Sequence, residues 1–517
     1  MTGADAQLKA LADSGVDTCF ANPGTTELDV VRSLERQSAI RTVVSLQENV
    51  CTGGADGYAR MTGRPACTLL HLGPGFANGI ANLHNARRAH TPIVNVIGDH
   101  MSWHLPYDAP LTSDIESLAR PVSGWVHRVT SASDAAAAGT QAVAASLAGG
   151  GQSATIIFPA DYQVEDPGKD APVAAADAKP LQATATRFDL EHSLAALRGS
   201  QKTVFLLGGG GDLSGLGKRA QVAAARLCAA LKATAFAETF PSRAERGQGL
   251  PVFDRLPYFP EPARAVLDPA ELVVLVGAGT PITYFGYEGH PSQLVPQERL
   301  LRLSGPGEDA ASRLEALADA LQAPAYVAPS VPMPAAPSGP LTAAAVAQAL
   351  VRELPANTIV SVEGGTCGYP FYAASAAAAP HSTLTNTGGA IGQGLPVAMG
   401  AAIACPDRQV VALVSDGSTQ YTIQTLWSMA HEGLDVVVLV AANHQYAILR
   451  NELRRNGAPL GKGAEAMTSL EKPRIDWVQL AQAYGVTASR ALTAEDLSAQ
   501  LKTAFGRKGP TLIEMAM

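Results

Sequence analysis

The amino-acid sequence predicts an α/β fold made of three doubly wound parallel-sheet domains. Short apolar runs typical of buried strands alternate with segments of helical periodicity along the whole chain. Two stretches lack periodicity: residues 166–186 are rich in Ala, Pro, Asp and Lys, and residues 323–340 are rich in Pro. The 517 residues also suffice for about three domains of ordinary size. We therefore expect domains over residues 1–165, 187–322 and 341–517, joined by linkers over residues 166–186 and 323–340.

The composition and the sequence pattern argue against nucleic acid and membranes as binding partners of the protein. Charged residues make up 16% of the chain and the formal net charge is −8, which argues against nucleic acid. No apolar run approaches the ~20 residues of a membrane span, and the N-terminus shows no signal-peptide pattern. The six cysteines are scattered without a C-x-x-C pair, which is typical of reduced thiols. We therefore expect a cytoplasmic protein without a membrane or nucleic-acid partner.

The first domain is predicted to alternate strands and helices, with polar residues where strands end. The predicted strands cover residues 16–21, 42–46, 66–71, 92–97 and 155–158, and the predicted helices cover residues 6–14, 28–34, 49–61 and 78–88. A Pro-Gly turn that includes Thr25 follows the first strand. His71 ends the third strand, directly before a predicted glycine turn at residues 73–75.

In the middle domain, the predicted strands over residues 203–207 and 272–276 each lead into a glycine-rich turn. Neither turn completes the G-x-G-x-x-G pattern of dinucleotide sites, and glycine-rich turns are common after parallel strands. We interpret both as tight turns of a structural domain.

The third domain carries the most informative stretch, a predicted βαβ unit over residues 410–450. Asp416 directly follows its first strand and Asn443 its second, so both are expected at one edge of a parallel sheet. Carboxylate and amide oxygens there suit Mg²⁺ or Ca²⁺. Gly417 lets a phosphate approach the backbone, and Ser418 can donate to it at the helix start. An Asp-Gly turn alone is common, but the spacing of 27 positions from strand end to strand end favours a binding site.

At these residues the chain resembles the thiamine-diphosphate-dependent 2-oxo acid enzymes, which include benzoylformate decarboxylase, pyruvate decarboxylase and acetolactate synthase. The resemblance covers essentially the whole chain and implies pyrimidine-binding, middle and diphosphate-binding domains in that order. The family's Asp-Gly-Ser motif, followed by Asn some 27 positions later, is present from Asp416 to Asn443. The resemblance makes Asp416, Asn443 and the backbone carbonyl of Gln445 the metal ligands.

A second match surrounds Glu48, which is followed by the segment Ala-Asp-Gly-Tyr-Ala-Arg at residues 55–60. The resemblance makes Glu48 the glutamate that activates the cofactor: its carboxyl favours the imino tautomer of the aminopyrimidine, which then deprotonates the thiazolium C2. Ile391 aligns with the apolar residue that holds the cofactor bent. The Gly389 carbonyl would accept from the pyrimidine amine, while Gly365 and Thr366 match positions that hold the diphosphate.

Among the family members, the pattern is closest to benzoylformate decarboxylase. Thr25 matches a serine that contacts the substrate carboxylate, and His71 matches an active-site histidine. A second catalytic histidine is expected in the middle domain, but Gly286 stands in its place, which leaves the proton relay open. His104 lies in the loop where pyruvate decarboxylase carries its histidine pair, and it is a further candidate beside His100.

The implied reaction is decarboxylation of a 2-oxo acid through a C2 ylide and an enamine, with release of an aldehyde. The alternative is a carboligase of the acetolactate synthase type, which shares the same residues and passes the enamine to a second carbonyl. A cofactor-binding subunit without activity ranks low, because Glu48, Asp416 and Asn443 are all present. A lyase of 2-hydroxyacyl or oxalyl coenzyme A ranks low, because no basic C-terminal lid is visible. No FAD pattern is recognised either.

The resemblance also implies an assembly. In this family, the two ends of one cofactor are held by different subunits, so a homodimer is the minimum active unit and a homotetramer is expected. The low charge and the many small residues agree with a large subunit interface.

Overall fold

A computed structural model describes residues 1–168, 187–457 and 459–517. It contains sheets of six, five and seven strands with helices packed on them, and the neighbouring strands are parallel apart from one antiparallel pair. The prediction of an α/β fold with three parallel sheets is confirmed.

The first sheet has the strand order β2-β1-β3-β4-β6-β5. Its strands are β1 (Thr18–Asn22), β2 (Arg41–Val44), β3 (Ala66–Leu70), β4 (Ile93–Asp99), β5 (Trp125–Arg128) and β6 (Ser153–Pro159). Its helices are α1 (Gly3–Asp13), α2 (Leu28–Arg36), α3 (Glu48–Thr62), α4 (Leu72–Arg88), α5 (Ile115–Ala119), α6 (Ala135–Leu147) and α7 (Ala160–Val164). The central strands β3 and β4 are buried throughout, as expected for a parallel sheet covered on both faces. The edge strand β5 is only half-buried and has no clear apolar run, which explains why the sequence pattern missed it.

Helix α4 begins at Leu72, six residues earlier than predicted, so the predicted glycine turn at residues 73–75 is wrong. Proline is tolerated in the first turn of a helix, where the N–H groups have no intrahelical partner. Gly73 and Gly75, in the first turn of α4, leave room for neighbouring side chains. A Cβ on Gly73 would contact Ser113, and a Cβ on Gly75 would contact Glu48. His71 is therefore the N-cap residue of a long helix.

The second sheet has the strand order β10-β8-β7-β11-β12. Its elements are α8 (Leu190–Gly199), β7 (Thr203–Leu207), α9 (Lys218–Leu231), β8 (Thr234–Ala237), β10 (Asp254–Arg255), α10 (Pro260–Leu267), β11 (Leu272–Val276), β12 (Leu300–Ser304) and α11 (Ala310–Ala320); β9 (Arg243–Arg246) lies in the same range of the chain. The two glycine turns pack against each other, because a Cβ on Gly208 would lie 2.3 Å from the carbonyl oxygen of Gly277.

The third sheet has the strand order β17-β18-β16-β15-β13-β14-β9. Its strands are β13 (Ile359–Val362), β14 (His381–Thr385), β15 (Val410–Ser415), β16 (Val436–Ala442), β17 (Thr487–Ala491) and β18 (Thr511–Ala516). Its helices are α12 (Ala343–Glu353), α13 (Gly365–Ala374), α14 (Gly394–Ala404), α15 (Asp416–Thr419), α16 (Thr425–His431), α17 (Ala447–Arg455), α18 (Lys462–Thr468), α19 (Trp477–Ala483) and α20 (Ala494–Phe505).

Strand β9 completes this third sheet, although it belongs to the range predicted as the middle domain. It pairs antiparallel with β14. The guanidinium of Arg246 lies 3.7 Å from the ring centroid of Tyr372 and donates to Ser375 Oγ at 2.9 Å, so the added strand is held by side chains as well.

Helices α3 and α14 join the first and third sheets into one hydrophobic core. That core includes Phe20 and Leu70 of the first sheet and Val410 and Val438 of the third. The sequence of α14, GLPVAMGAAIA, is apolar on every face, which is typical of a helix enclosed on all sides. This packing places the cofactor-binding candidates of the two sheets on one rigid frame.

Residues 323–338 form no helix or strand. Most of the first predicted linker, from residue 169 to 186, lies outside the described residues, and the domain boundaries stay a prediction. Within the described ranges, no helix combines the length and the apolarity that a membrane crossing requires.

Candidate active site

Asp416 and Asn443 lie side by side at the carboxyl edge of the third sheet. They follow the adjacent parallel strands β15 and β16, whose register pairs Ser415 with Ala441. Asp416 is 1% exposed; its Oδ1 accepts from the Gly417 N–H at 2.8 Å and its Oδ2 from the His444 N–H at 2.6 Å. His444 has a φ of +54°, a strained conformation for a residue with a side chain. Burial raises the pKa of the Asp416 carboxyl, and the two N–H donors oppose that shift.

The donor set around Asp416 fits Mg²⁺. Asn443 donates its Nδ2 to Thr366 Oγ1 at 3.2 Å, which turns Oδ1 towards the backbone N–H of Gln445, 3.1 Å away. The described residues contain no group of three or more His, Cys, Asp or Glu side chains that could hold a metal. The Asp416 carboxylate and the Asn443 amide oxygen would leave coordination positions for phosphate oxygens and water, which is the way proteins usually bind Mg²⁺.

The same edge offers a cradle for a diphosphate. A Cβ on Gly417 would lie 2.6 Å from the ring of Tyr446, so only glycine allows this close approach. Gly364 has a φ of +114° and turns β13 into α13, which begins with Gly365 and Thr366. The first N–H groups of α13 have no intrahelical partners and can bind an anion. The Ser418 hydroxyl donates to the Ser415 carbonyl at 3.1 Å, so its backbone N–H is the group left for phosphate.

A buried glutamate that the sequence did not single out holds the loop of Gly389 and Ile391. Glu363, at the end of β13, accepts from the N–H groups of Gly392 and Gly394, each at 2.7 Å. Burial raises the pKa of Glu363 against the effect of these donors. Gly389 adopts a φ of +79°, and the loop leaves Ile391 half-buried.

Helices α3 and α4 of the first sheet hold the same loop from the other side. On α4, His84 donates to the Gly388 carbonyl at 3.1 Å and Asn85 donates to the Ala390 carbonyl at 2.8 Å. On α3, Asp56 accepts from Gln393 Nε2 at 2.6 Å. Asp56 also forms a buried, bidentate ion pair with Arg60, whose Nη1 donates to the Thr385 carbonyl. The motif at residues 55–60 thus connects the first and third sheets.

Glu48 is the first residue of α3 and is half-buried. Its Oε2 accepts from Asn78 Nδ2 of α4 at 3.0 Å, and its Oε1 lies beside Gly75. Val44 at the end of β2 and Leu46 in the segment after it are exposed, so exposed apolar side chains precede Glu48. Asn78 holds one carboxylate oxygen, and the other has no hydrogen-bond partner among the described residues.

His71 contacts two residues that sequence reasoning missed. Its Nδ1 lies 2.9 Å from Glu27 Oε2 and 3.2 Å from Thr26 Oγ1. Thr25 is exposed, and no hydrogen bond of its side chain is seen among the described residues. An acidic residue so soon after a strand-ending turn was the available signal for Glu27.

His104 lies in a 3-10 helix, Ser102–Tyr107, on an exposed loop. Its ring packs against those of His100, Trp103 and Tyr107, with centroids 5.5–5.8 Å away. In the middle domain, the hydroxyl of Tyr284 approaches Gly389 so closely that a Cβ there would lie 1.8 Å from it. The segment that lacks the expected histidine therefore presents a tyrosine to the glycine loop.

Two family models match the chain. The model for the N-terminal TPP binding domain of thiamine pyrophosphate enzymes matches residues 1–118, and the model for their C-terminal TPP binding domain matches residues 363–515. These ranges contain Glu48 and Asp416, respectively, together with the other candidates described above apart from Tyr284 and Gly286.

Similar proteins cover the full chain. A Mycobacterium tuberculosis protein, IlvX, provisionally named an acetolactate synthase large subunit, is 46% identical over all of this chain and 99% of its own. Benzoylformate decarboxylase of Pseudomonas aeruginosa is 29% identical over 99% and 98% of the two chains. Among solved structures, thiamine diphosphate-dependent 4-hydroxybenzoylformate decarboxylase of Rhodococcus jostii RHA1 is similar with a TM-score of 0.85 and 26% identity, over 100% and 99% of the chains.

Proposed function

The chain belongs to the thiamine pyrophosphate enzymes of the decarboxylase and acetolactate synthase group, and from this premise we propose that it decarboxylates a 2-oxo acid and releases an aldehyde. The observation that carries the proposal is the arrangement of Asp416, Asn443 and the N-terminus of α13 at one sheet edge, next to a glycine loop braced by Glu363. In this proposal Asp416, Asn443 and the Gln445 carbonyl hold Mg²⁺. Gly365, Thr366, Gly417 and Ser418 hold the diphosphate.

Thiamine diphosphate, when bound, supplies a carbon nucleophile and an electron sink for the loss of carbon dioxide. The protein supplies proton transfers and orientation. Glu48 is the proposed proton donor and acceptor for the pyrimidine end of the cofactor, since its Oε2 is fixed by Asn78 and its Oε1 is left free. Ile391 and the Gly389 carbonyl orient that same end. His71 is the proposed proton relay to the product, and Thr25 and His104 are proposed to line the substrate site.

A carboligase of the acetolactate synthase type is the second candidate. The relative with the higher identity, at 46%, carries that provisional name, which favours this alternative. Both reactions use the same cofactor and differ only in whether a proton or a second carbonyl compound captures the product carbon. The proposed assembly, a homodimer at least and a homotetramer by expectation, applies to both.

A panel of 2-oxo acids tests the proposal. Purified protein with Mg²⁺ and thiamine diphosphate is assayed for carbon dioxide, aldehyde and ligation product in the same reaction. Stoichiometric aldehyde supports the decarboxylase, ligation product in its place supports the carboligase, and absence of carbon dioxide from every acid refutes both.

Exchange of the cofactor C2 proton with deuterium separates cofactor activation from substrate choice. We expect rapid exchange in the wild type and a loss of about 10²-fold or more in Glu48→Gln. Glu35→Gln, an exposed glutamate on α2, is the matched control. If Glu48→Gln and the wild type exchange the C2 proton at the same rate, Glu48 does not activate the cofactor.

Mixing inactive variants tests a site shared between subunits. Glu48→Ala and Asp416→Ala are each expected to be inactive, and subunit exchange should restore about a quarter of the sites if the two residues act on one cofactor from different chains. No recovery after verified exchange would place both residues in one subunit's site.

A further inference from the structure

The carboxylate of Glu27 is completely buried beneath His71. It is 0% exposed and forms no ion pair with Lys or Arg in the described part of the chain. Its Oε2 accepts from the Gly24 N–H at 2.8 Å and lies 2.9 Å from His71 Nδ1, while its Oε1 accepts from the Thr26 hydroxyl at 2.7 Å. Both oxygens of Glu27 therefore take part in hydrogen bonds, and an ionised carboxylate can only accept them.

These contacts determine the tautomer of His71. Because an ionised carboxylate can only accept, Nδ1 must carry a hydrogen and donate it to Glu27. The Thr26 hydroxyl donates its hydrogen bond to Glu27, so Thr26 Oγ1 can only accept from Nδ1. In the neutral imidazole, Nε2 is therefore the unprotonated nitrogen.

The surrounding backbone keeps this unit in place. A Cβ on Gly24 would lie 2.2 Å from His71 Nδ1, so the glycine backbone lies directly against the imidazole face. A Cβ on Gly98 of β4 would lie 1.8 Å from Glu27 Oε1, so this glycine provides the space that the carboxylate occupies. A ring flip would break the bond to Glu27 within a packed environment.

The opposite edge of the ring is accessible. The His71 side chain is 24% exposed, and Nε2 has no hydrogen-bond partner among the described residues. Glu48 lies across Gly75 from His71. Asp99, which follows the Gly98 that contacts Glu27, is paired with Arg128. His100 follows Asp99 and bonds it through its backbone N–H. None of these groups hydrogen-bonds to the imidazole.

We propose that Glu27 is a positioning residue that locks His71 in the Nδ1–H tautomer, with Nε2 as the proton-transferring atom. The inference rests on the proposed function and adds to it. Decarboxylation of RCOCOO⁻ with one H⁺ gives RCHO and CO₂, so each turnover consumes a proton. Nε2 takes that proton from solvent with its lone pair and delivers it to the product, which returns the imidazole to its starting tautomer. Glu27 stabilises the imidazolium between these two transfers.

The tautomer can be measured without turnover. In full-length apo protein labelled with ¹⁵N-histidine, the His71 signals are those absent from the spectrum of His71→Gln. At pH 8 we expect a protonated Nδ1 and an unprotonated Nε2 in the wild type and in the control Glu35→Gln. In Glu27→Gln the amide can donate or accept, so a mixture of tautomers should be present. A wild type with its proton on Nε2 overturns the proposal, whether or not Glu27→Gln folds.

Kinetics supply a second readout. We expect Glu27→Gln to lower kcat by about 10²-fold with little change in KM, and to move the basic limb of the kcat profile to lower pH. Glu27→Asp, which keeps the charge, should recover part of kcat and the original limb. C2-proton exchange of the bound cofactor should be unchanged in both variants.

The outcomes separate the two proposals. Suppose that the wild type exchanges the cofactor C2 proton and turns over substrate, and that Glu27→Gln has the same kcat and pH profile. This result would refute the positioning role of Glu27 and leave the proposed function intact. A wild type that neither exchanges nor decarboxylates would refute the proposed function, while the tautomer measurement would still decide the role of Glu27.

Discussion

The crossing of α3 and α14 gives the sharpest stability prediction. In this contact the two helix backbones touch. A Cβ added to Gly400 would lie 1.9 Å from the carbonyl oxygen of Gly54 and 2.7 Å from the backbone nitrogen of Tyr58. A Cβ on Gly57 would lie 2.1 Å from the carbonyl oxygen of Val397. No side-chain rotation can relieve a clash with backbone atoms, so Gly400→Ala must push the helices apart.

The size of the effect follows from these distances. Non-bonded carbon and oxygen atoms prefer separations near 3.5 Å, so the helices must separate by roughly 1.5 Å at this point. Overpacking of a well-packed core costs about 1–3 kcal/mol, and a backbone contact belongs at the upper end. We expect Gly400→Ala to lower the free energy of unfolding by about 3 kcal/mol. Cofactor binding should weaken as well, because the glycine loop precedes α14 directly.

Denaturant unfolding followed by circular dichroism checks this expectation. The matched control is Gly463→Ala in α18, where a Cβ meets nothing within 4 Å. The midpoint should fall clearly in Gly400→Ala and stay near the wild-type value in the control. If both variants unfold at the wild-type midpoint, the close backbone contact and the reasoning built on it are wrong.

Three further predictions concern titration and the glycine loop. Mg²⁺ needs the ionised Asp416 carboxylate, and burial raises the pKa of this group. In calorimetric titrations with thiamine diphosphate present, the Mg²⁺ affinity should therefore begin to fall at a higher pH than it would for an ordinary aspartate. An affinity that stays constant down to pH 4.5 would contradict this prediction. Burial lowers the pKa of His381 from 6.5 to about 4, so the folded protein favours the neutral imidazole. The free energy of unfolding should be largest above pH 6.5 and should fall by up to about 3 kcal/mol as the pH is lowered to 4. Urea unfolding of His381→Phe should lack this part of the pH dependence, and an unchanged slope would contradict the assignment. Gly389→Ala should weaken cofactor binding in a fluorescence titration, because its Cβ would lie 1.8 Å from the Tyr284 hydroxyl. Adding Tyr284→Phe should restore part of the affinity. The remaining loss would come from the positive φ at this position, which alanine tolerates poorly. No recovery in the double variant would show that this hydroxyl is not the obstacle.

The strand-end positions could be read from the sequence, because they depend on local pattern. An apolar run followed by a polar residue places that residue at the carboxyl edge of a parallel sheet, and β15 with Asp416 and β16 with Asn443 follow this rule. Glu48 lies at the start of α3, in the connection that follows β2. The roles assigned to these residues stay predictions of the family resemblance.

The contacts that hold the site depend on residues far apart in the chain. Strand β9 has the sequence RAER and lacks an apolar run, so its place beside β14 follows only from the pairing partner. The glycine turn predicted before α4 failed because Gly and Pro signal a break locally, while packing against Glu48 and Ser113 allows a helix.

The sequence by itself determined the α/β class and the three sheets, because periodicity is a local property of the chain. The family and its cofactor followed from the resemblance of its motifs to those of known enzymes. Only the tertiary structure decided which buried carboxylates hydrogen-bond to the candidate site residues. Glu27 lies 44 positions from His71, and Glu363 lies about 30 positions from the amides it binds. Their partners are set by how sheets and helices pack, and no local pattern encodes that packing.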